Sequence, residues 1–555
     1  MPIGSVRAAA GSAKLFKLGS VGVVATTIDA LSRPEEAHGD EPVVRSRRRI
    51  GLRRPAIVAC GLILVAGVIL RFWTSSDLWL DEALSVNIAK LPLRQLPAAL
   101  RHDGAPPLYY VLLHFWMRAF GQGDFAVRAL SGLASMIALP FAWLAGRRLG
   151  GRTCAWATLV LTATSPFAIT YATTTRMYSF MILWSLLGLL ALARALERPT
   201  RGTLACVALS TAVILYTHYW GLYLIAVTGV WLLLRARRAE ATVARSSGEE
   251  RNASRRCLIA MVIGSLPFLA WVPIFVFQTF HTGTPWSNPA GPGDILGVLG
   301  EYSGGGPWGA ALGLALFTLL LLGLFGRPID GTRVLIELRA RHRARPVAWV
   351  FIGTLGLAVL AGAIAQAAFV GRYTAVVFPM FMLLAGLGAA VFLNPRVMAG
   401  ALAVTSMFGL IVSVTANSNN RTEAASVAAV INQEANPGDL VLYCPDQLAP
   451  AVDRLLHAPV QQATFPRGIG PQRVDWVDYR KVIANTSVDR FGQQMLARAG
   501  PGHAIWYVWR QGYPGTNHKC TELMSLLNSQ RPVNQQLVKL DNSDYEYEAL
   551  VRFAG

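Results

Sequence analysis

Four short polar motifs stand at the ends of apolar segments, where charged side chains are costly and tend to be functional. They are Trp79-Leu80-Asp81-Glu82, Pro106-Pro107-Leu108-Tyr109-Tyr110, Thr175-Arg176-Met177-Tyr178 and Gly371-Arg372-Tyr373. A carboxylate such as Asp81 can take the proton of an attacking hydroxyl, with the adjacent Glu82 in support. Arginines such as Arg176 and Arg372 can hold a phosphate through charge-assisted hydrogen bonds. The motifs therefore predict a site for an anionic, lipid-linked substrate at a membrane surface.

Further side chains beside these motifs are candidate substrate contacts. They are aromatic rings, imidazoles and one carboxylate: His102, Asp103, Tyr109, Tyr178, His218 and Tyr373. Asp103 is also suited to cap the helix that begins after the Pro-Pro pair. His218 is a candidate hydrogen-bond donor, whereas the adjacent Tyr219 and Trp220 are explained by an interfacial aromatic belt.

Composition indicates a polytopic α-helical membrane protein. Of the 555 residues, 53% are hydrophobic and only 15% charged, and many windows of about 18 or more residues are mostly apolar. The net charge of +20 could indicate nucleic-acid binding. Most of the arginines, however, cluster in short loops between apolar segments, as the positive-inside rule expects. We therefore predict no nucleic-acid partner.

Charge distribution predicts the topology. Residues 1–54 are expected to be a disordered, basic cytoplasmic leader, and residues 55–416 a transmembrane catalytic domain. Residues 73–125 form its first outer loop, in which segment 106–120 is too short for a span and is predicted to lie on the surface as an amphipathic helix. About eleven spans follow from this choice: 55–72, 126–146, 153–172, 177–194, 203–219, 221–234, 257–279, 307–326, 347–369, 373–392 and 397–416.

This arrangement predicts a plasma-membrane protein with a cytoplasmic N-terminus and all four motifs on the extracytoplasmic side. Residues 417–555 lack apolar spans and are predicted to be an extracytoplasmic α/β domain, with strands at 440–444, 504–509, 535–540 and 547–553. Cys444 and Cys520 lie in this domain, where a disulfide would suit the compartment. The sequence has no HExxH, P-loop or GxSxG motif.

The order of the motifs resembles that of the GT-C membrane glycosyltransferases, closest to bacterial relatives of the protein O-mannosyltransferases and of the lipid A aminoarabinose transferase. The resemblance spans about residues 55–395 and rests on WLDEA, PPLYYVLLHFW, FAVRALS, GRRLGG, TRMYSF, THYWGLYL and GRYTAVVFP. It implies transfer of a sugar, with inversion, from a polyprenyl-phosphate-sugar donor to an envelope glycan, glycolipid or protein. It also implies that Asp81 is the general base and that Arg176 and Arg372 lie near the lipid phosphate.

One departure from the family pattern concerns the second carboxylate. Related enzymes often have an acidic residue before the span that begins here at Met177, but this chain has Thr173-Thr174-Thr175. A second carboxylate is then expected from another position: Asp77, Asp103, Asp294 or Glu301. The departure leaves open whether a divalent cation takes part, and no other cofactor is predicted.

Mannose is the sugar that the resemblance favours, with an arabinofuranosyltransferase using polyprenyl-phosphoarabinose as the nearest variant. A lipid-linked sugar flippase is the alternative from another class, and a non-catalytic assembly subunit is a third. A transporter predicts polar residues at mid-membrane depth, whereas the motifs here are concentrated at one face. The sequence does not specify the acceptor or the linkage.

Overall fold

The computed structural model describes residues 54–240, 245–283, 290–330, 333–365, 368–513, 516, 518–540 and 545–555. The predicted leader, residues 1–54, lies outside this range except for Arg54.

The first part of the chain forms one apolar helix followed by three short helices. These are α1 (Arg54–Ile69), α2 (Leu80–Ala89), α3 (Leu96–Asp103) and α4 (Leu108–Phe120), with a short 3-10 helix at Leu93–Gln95. Helix α4 corresponds to the segment predicted to lie on the surface and has only 13 residues. It buries Tyr109, Tyr110 and Leu113 and exposes Phe115 and Phe120, as expected of an amphipathic helix.

A bundle of apolar helices follows. It consists of α5 (Asp124–Ala163), α6 (Pro166–Ala172), α7 (Tyr178–Glu197), α8 (Arg201–Thr217), α9 (Trp220–Glu240), α10 (Arg245–Ser265), α11 (Val272–His281), α12 (Asp294–Ser303), α13 (Gly306–Phe325), α14 (Ala344–Ala365), α15 (Phe378–Ala389) and α16 (Pro395–Ser418). Short 3-10 helices at Leu266–Trp271 and Gly371–Val376 and a small hairpin, β1 (Gly326–Pro328) with β2 (Val334–Ile336), complete it.

The predicted polytopic helical fold is confirmed. Within the described ranges, seven helices are long and apolar enough to cross a membrane, and three shorter apolar helices accompany them. Two predicted spans, 126–146 and 153–172, fall largely within the 40-residue α5, which is bent at Gly151 with a φ of +82°. Glycine tolerates this left-handed conformation without the steric cost that a side chain would add.

Helices α13 and α15 pack backbone against backbone. A Cβ atom added at Gly388 would lie 1.8 Å from the carbonyl oxygen of Leu319, and one added at Gly323 would lie 2.0 Å from that of Leu384. Small residues permit this close approach between membrane helices, where packing rather than hydrophobic burial drives association.

The C-terminal part is an α/β domain around a five-stranded sheet. Its elements are α17 (Ala424–Glu434), β3 (Leu440–Cys444), α18 (Ala449–Asp453), β4 (Gln461–Thr464), α19 (Tyr479–Asn485), α20 (Val488–Ala499), β5 (Ile505–Trp509), α21 (Lys519–Gln530), β6 (Asn534–Val538) and β7 (Ala549–Phe553). A short 3-10 helix at Asp446–Leu448 follows β3.

The strand order is β4-β3-β5-β7-β6. Strand β3 is parallel to both β4 and β5, whereas β7 is antiparallel to its neighbours β5 and β6. Helices α20 and α21 cover one face of the sheet, and α17 and α18 cover the other. A disulfide joins Cys444, at the end of β3, to Cys520 in α21.

Candidate active site

Asp81 lies in the first turn of α2 between two arginines. Its Oδ2 is 3.4 Å from Nη2 of Arg372 and 4.0 Å from Nε of Arg176. This oxygen accepts no hydrogen bond and is shielded from solvent, although the side chain as a whole is 14% exposed. Oδ2 of Asp81 is therefore free to accept a proton, and two guanidinium groups lie within ion-pair range of it.

Glu82 has a different environment from its neighbour. It is fully buried and accepts hydrogen bonds from Arg128 at 2.9 and 2.6 Å and from the backbone N–H of Thr175 at 2.8 Å. Burial alone would raise the pKa of Glu82, but the charge and hydrogen bonds of Arg128 outweigh it, so its pKa lies below the usual value. Glu82 thus supports the site by fixing α2 against α5.

The three threonines that replace the expected acidic residue are used for packing. Arg421, just after the last membrane helix, donates to the carbonyl and hydroxyl oxygens of Thr173 at 2.8 and 2.7 Å and to the hydroxyl oxygen of Thr174 at 3.1 Å. The N–H of Thr175 binds Glu82. The loop before α7 is therefore fixed from both sides.

Arg176 connects Asp81 with helix α4. Its Nη1 donates to Oγ of Ser85 at 3.2 Å and to the hydroxyl of Tyr110 at 3.4 Å. Tyr110 in turn donates to Asp103 at 2.7 Å. Asp103 is thus linked to the site through Tyr110 and Arg176, and Tyr109 is buried in the packing of α4 against Phe180.

Arg372 lies among aromatic rings. Its guanidinium carbon is 5.9 Å from the ring centroid of Trp79 and 5.8 Å from that of Tyr373. The ring of His218 lies 4.7 Å from Tyr373 and 6.2 Å from Tyr178. The structure therefore gathers three of the predicted side chains, His218, Tyr178 and Tyr373, beside Arg372.

The structure does not bring His102 to this cluster. Its Nδ1 lies 2.8 Å from Oδ1 of Asp475 in the C-terminal domain, and half of the side chain is exposed. The backbone carbonyl of His102 also accepts from the N–H of Trp476. This residue forms a contact between the outer loop and the C-terminal domain.

The C-terminal domain closes the cavity into which Asp81 opens. The cavity has a volume of about 200 Å³, and the membrane domain lines it with Trp79, Leu80, Asp81 and Arg372. The C-terminal domain contributes Trp476, Arg510, Tyr513, Tyr545 and Glu546. No sequence motif singled out these C-terminal residues as neighbours of Asp81.

Glu546 is the carboxylate that shares this cavity with Asp81. Its Oε2 accepts a hydrogen bond from the backbone N–H of Leu80 at 3.1 Å, one residue before Asp81 and at the start of α2. Burial raises the pKa of Glu546 to about 8. None of the four positions expected to supply a second carboxylate, Asp77, Asp103, Asp294 and Glu301, lines this cavity.

Within the part of the chain that the structure describes, no group of three histidine, cysteine, aspartate or glutamate side chains could hold a metal ion. We therefore derive no step through a metal.

Comparison with known proteins supports this interpretation of the fold. Residues 104–271 match the family described as dolichyl-phosphate-mannose-protein mannosyltransferase. The crystal structure of ArnT from Cupriavidus metallidurans bound to undecaprenyl phosphate has a TM-score of 0.54 and 15% identity, covering 90% of this chain and 98% of that one. Its apo form has a TM-score of 0.55 at the same identity and coverage.

A more distant similarity is to the Archaeoglobus fulgidus oligosaccharyltransferase, at 11% identity and a TM-score of 0.44, over 81% of this chain and 67% of that one. Among curated proteins, none matches the sequence significantly.

The fold and the matched segment define the class: the chain is a multi-pass membrane protein with the GT-C fold.

Proposed function

We propose that the protein transfers a sugar, mannose in our interpretation, from a polyprenyl-phosphate-sugar donor to a hydroxyl of a cell-envelope glycan, glycolipid or protein. The observation that carries the proposal is the position of Asp81 between Arg176 and Arg372 at the cavity. A base beside two phosphate-binding cations is what hydroxyl attack on a sugar phosphate needs. The undecaprenyl phosphate bound by ArnT supports a donor of this class.

In the proposed reaction, the acceptor oxygen forms a bond to the anomeric carbon from the face opposite the phosphate. The bond between that carbon and the phosphate oxygen breaks, and its electron pair leaves with the polyprenyl phosphate. The hydroxyl proton passes to Oδ2 of Asp81, and attack from the opposite face inverts the anomeric configuration. The arginines stabilise the phosphate charge, and because phosphate is a good leaving group, no separate acid is required.

The two ion pairs of Asp81 have a role in this scheme. Without a donor, the aspartate and the arginines compensate one another's charge in a poorly solvated site, where unpaired charges are costly. An arriving phosphate offers the guanidiniums bidentate partners. Asp81 is then released to accept the proton of the acceptor.

We further propose that the reaction takes place on the extracytoplasmic face of the plasma membrane. The basic loops at the other end of the bundle support this orientation through the positive-inside rule. The disulfide between Cys444 and Cys520 is also typical of an oxidising compartment.

The test is transfer of radiolabelled sugar from polyprenyl-phosphomannose, and in parallel from polyprenyl-phosphoarabinose, to envelope acceptors in membranes. We expect Asp81→Ala to reduce transfer at least about 100-fold, the contribution of a general base, at equal protein level. Glu197→Ala, at the opposite end of α7, is the matched control and should leave transfer unchanged. Transfer from the arabinose donor alone would correct the sugar, and full activity of Asp81→Ala would refute the base assignment.

A further inference from the structure

The connections of the C-terminal sheet reverse direction at β3. Strand β3 lies between β4 and β5, both parallel to it. The chain passes from β3 to β4 on one side and then crosses from β4 to β5 on the other side. In open α/β sheets, ligands bind outside the carboxyl ends of the strands at such a switch point. Arg510 follows β5 directly at this end.

The carboxyl end of β5 lies at the cavity of Asp81. Arg510 and Asp81 line the same space of about 200 Å³, which is smaller than the roughly 300–1,000 Å³ of sites that enclose a drug-sized ligand. Only the terminal group of a larger acceptor fits between the two residues.

Arg510 is held in place by rings. Its guanidinium carbon lies 3.7 Å from the ring centroid of Tyr547 and 5.3 Å from that of Tyr513. Its backbone N–H donates to the carbonyl oxygen of Cys444 at 3.2 Å. Stacking of this kind orients a guanidinium and leaves its N–H groups available.

The charge of Arg510 is not neutralised by a neighbouring carboxylate. Among the residues that the structure describes, none forms an ion pair with it, and its Nε is buried without a hydrogen bond. Asp81 is already in range of Arg372 and Arg176, and Glu546 is bonded to Leu80. Arg510 is half-buried, and a guanidinium oriented in this way, without an ion-pair partner, is suited to bind an anionic ligand.

We propose that this cavity is the acceptor subsite and that the acceptor carries a phosphate group close to the hydroxyl that Asp81 deprotonates. Arg510 binds the phosphate, and Tyr513 and Trp476 enclose the sugar that bears the hydroxyl. The inference rests on the proposed function, because it assigns the second substrate of the same site. The phosphate can belong to a lipid headgroup or to a soluble glycan.

Three acceptors with the same mannosyl group test this proposal in membranes containing the full-length protein: octyl mannoside, mannosyl glycerophosphate, and the latter headgroup on diacylglycerol in phosphatidylcholine vesicles. We expect the wild type to prefer both phosphate-bearing acceptors over octyl mannoside. Arg510→Gln should raise the KM of the phosphate-bearing acceptors about 10-fold or more, the effect of losing a charge-assisted hydrogen bond. Its KM for the donor and for octyl mannoside should not change.

Arg552→Gln is the matched control. Arg552 is on the neighbouring strand β7, 5.3 Å from the ring of Trp506, and is paired with Glu434 away from the cavity. It should behave as the wild type. Preference for the vesicle-borne acceptor alone would identify a lipid headgroup as the source of the phosphate, and equal preference for both forms would identify the phosphate itself as sufficient.

Two results would overturn the proposal: equal loss of transfer to charged and neutral acceptors in Arg510→Gln, or a raised KM for the donor. If the wild type transfers sugar from no donor, the proposed function fails, and the subsite is then judged by binding alone. Titration calorimetry of the purified protein with mannosyl glycerophosphate should show binding that Arg510→Gln weakens and Arg552→Gln does not. Equal binding by all three proteins would refute the phosphate subsite.

Discussion

Asp81 and Glu82 are neighbours in sequence, but their side chains perform different tasks. Consecutive residues on a helix point about 100° apart, so one faces the cavity and the other faces α5. Sequence reasoning could select the pair, because adjacent carboxylates beside a membrane span are costly. The resemblance also suggested Asp81 as base and Glu82 as support, but it did not reveal how Glu82 acts, since its partner Arg128 is 46 residues away.

Replacement of Glu82 by glutamine should therefore act through stability. Arg128 would be left buried without a counter-charge, and breaking a buried pair costs about 3–5 kcal/mol. We expect a clearly lower apparent Tm for Glu82→Gln in detergent. The control is Glu197→Gln: Glu197, at the exposed end of α7, pairs with Arg148 of α5, and loss of this pair should cost about 1 kcal/mol or less. Equal melting of the two variants would contradict the structural role of Glu82.

At the scale of elements, the membrane helices were predictable because the length of an apolar segment is visible in the local sequence. In the C-terminal domain, four of the five strands of the large sheet were anticipated within a few residues. The missed strand, β4, has the polar sequence Gln461-Gln462-Ala463-Thr464, and its pairing with β3 is a tertiary contact that no local pattern reveals. The helices α19 and α20 were missed as well.

The contact between α13 and α15 is an element-scale feature with a direct test. Gly388→Ala would place a methyl group against the backbone of Leu319 and force the helices apart. We expect a lower apparent Tm and lower transfer activity, because the 3-10 segment that carries Arg372 leads directly into α15. The same substitution at Gly356, in α14, meets nothing within 4 Å and should be neutral or slightly stabilising, since alanine favours the helix. Loss of stability at both positions would indicate a general intolerance of alanine rather than a close contact.

At the scale of the whole molecule, Glu546 couples the C-terminal domain to the helix of Asp81. It is 466 positions from Leu80, its hydrogen-bond partner, and lies in the alternating run Tyr545-Glu546-Tyr547-Glu548, a pattern typical of a half-exposed strand edge. Nothing in that run points to a distant cavity. Sequence reasoning therefore did not identify Glu546 as a residue of the site.

The coupling predicts a pH effect. Because the pKa of Glu546 is about 8 in the folded protein and near 4.3 in the unfolded chain, folding retains a proton that unfolding releases. The contribution of protonated Glu546 to the free energy of unfolding is fully present below about pH 4 and is lost as pH rises to 8 and above. We expect Glu546→Gln, which cannot ionise, to gain stability relative to the wild type by a few kcal/mol between pH 5 and pH 9.

The measurement is the difference in apparent Tm between Glu546→Gln and the wild type at each pH, which removes the titration of the groups that do not interact with Glu546. The control variant is Glu434→Gln, because Glu434 is exposed and pairs with Arg552. Its difference in apparent Tm from the wild type should vary little over the same pH range. A difference for Glu546→Gln that is independent of pH would show that this carboxyl is not held protonated.

The backbone hydrogen bond between Arg510 and Cys444 has a consequence for when the proposed sugar transfer can begin. Arg510, to which we assign acceptor binding, directly follows β5 and is hydrogen-bonded to Cys444, and the sulfur of Cys444 is bonded to that of Cys520 in α21. In the proposed orientation that linkage forms only after export, when the chain leaves the reducing cytosol. Newly made copies would then enter the membrane before the acceptor subsite is fully formed. Formation of the disulfide would confine sugar transfer to the compartment that contains the acceptors.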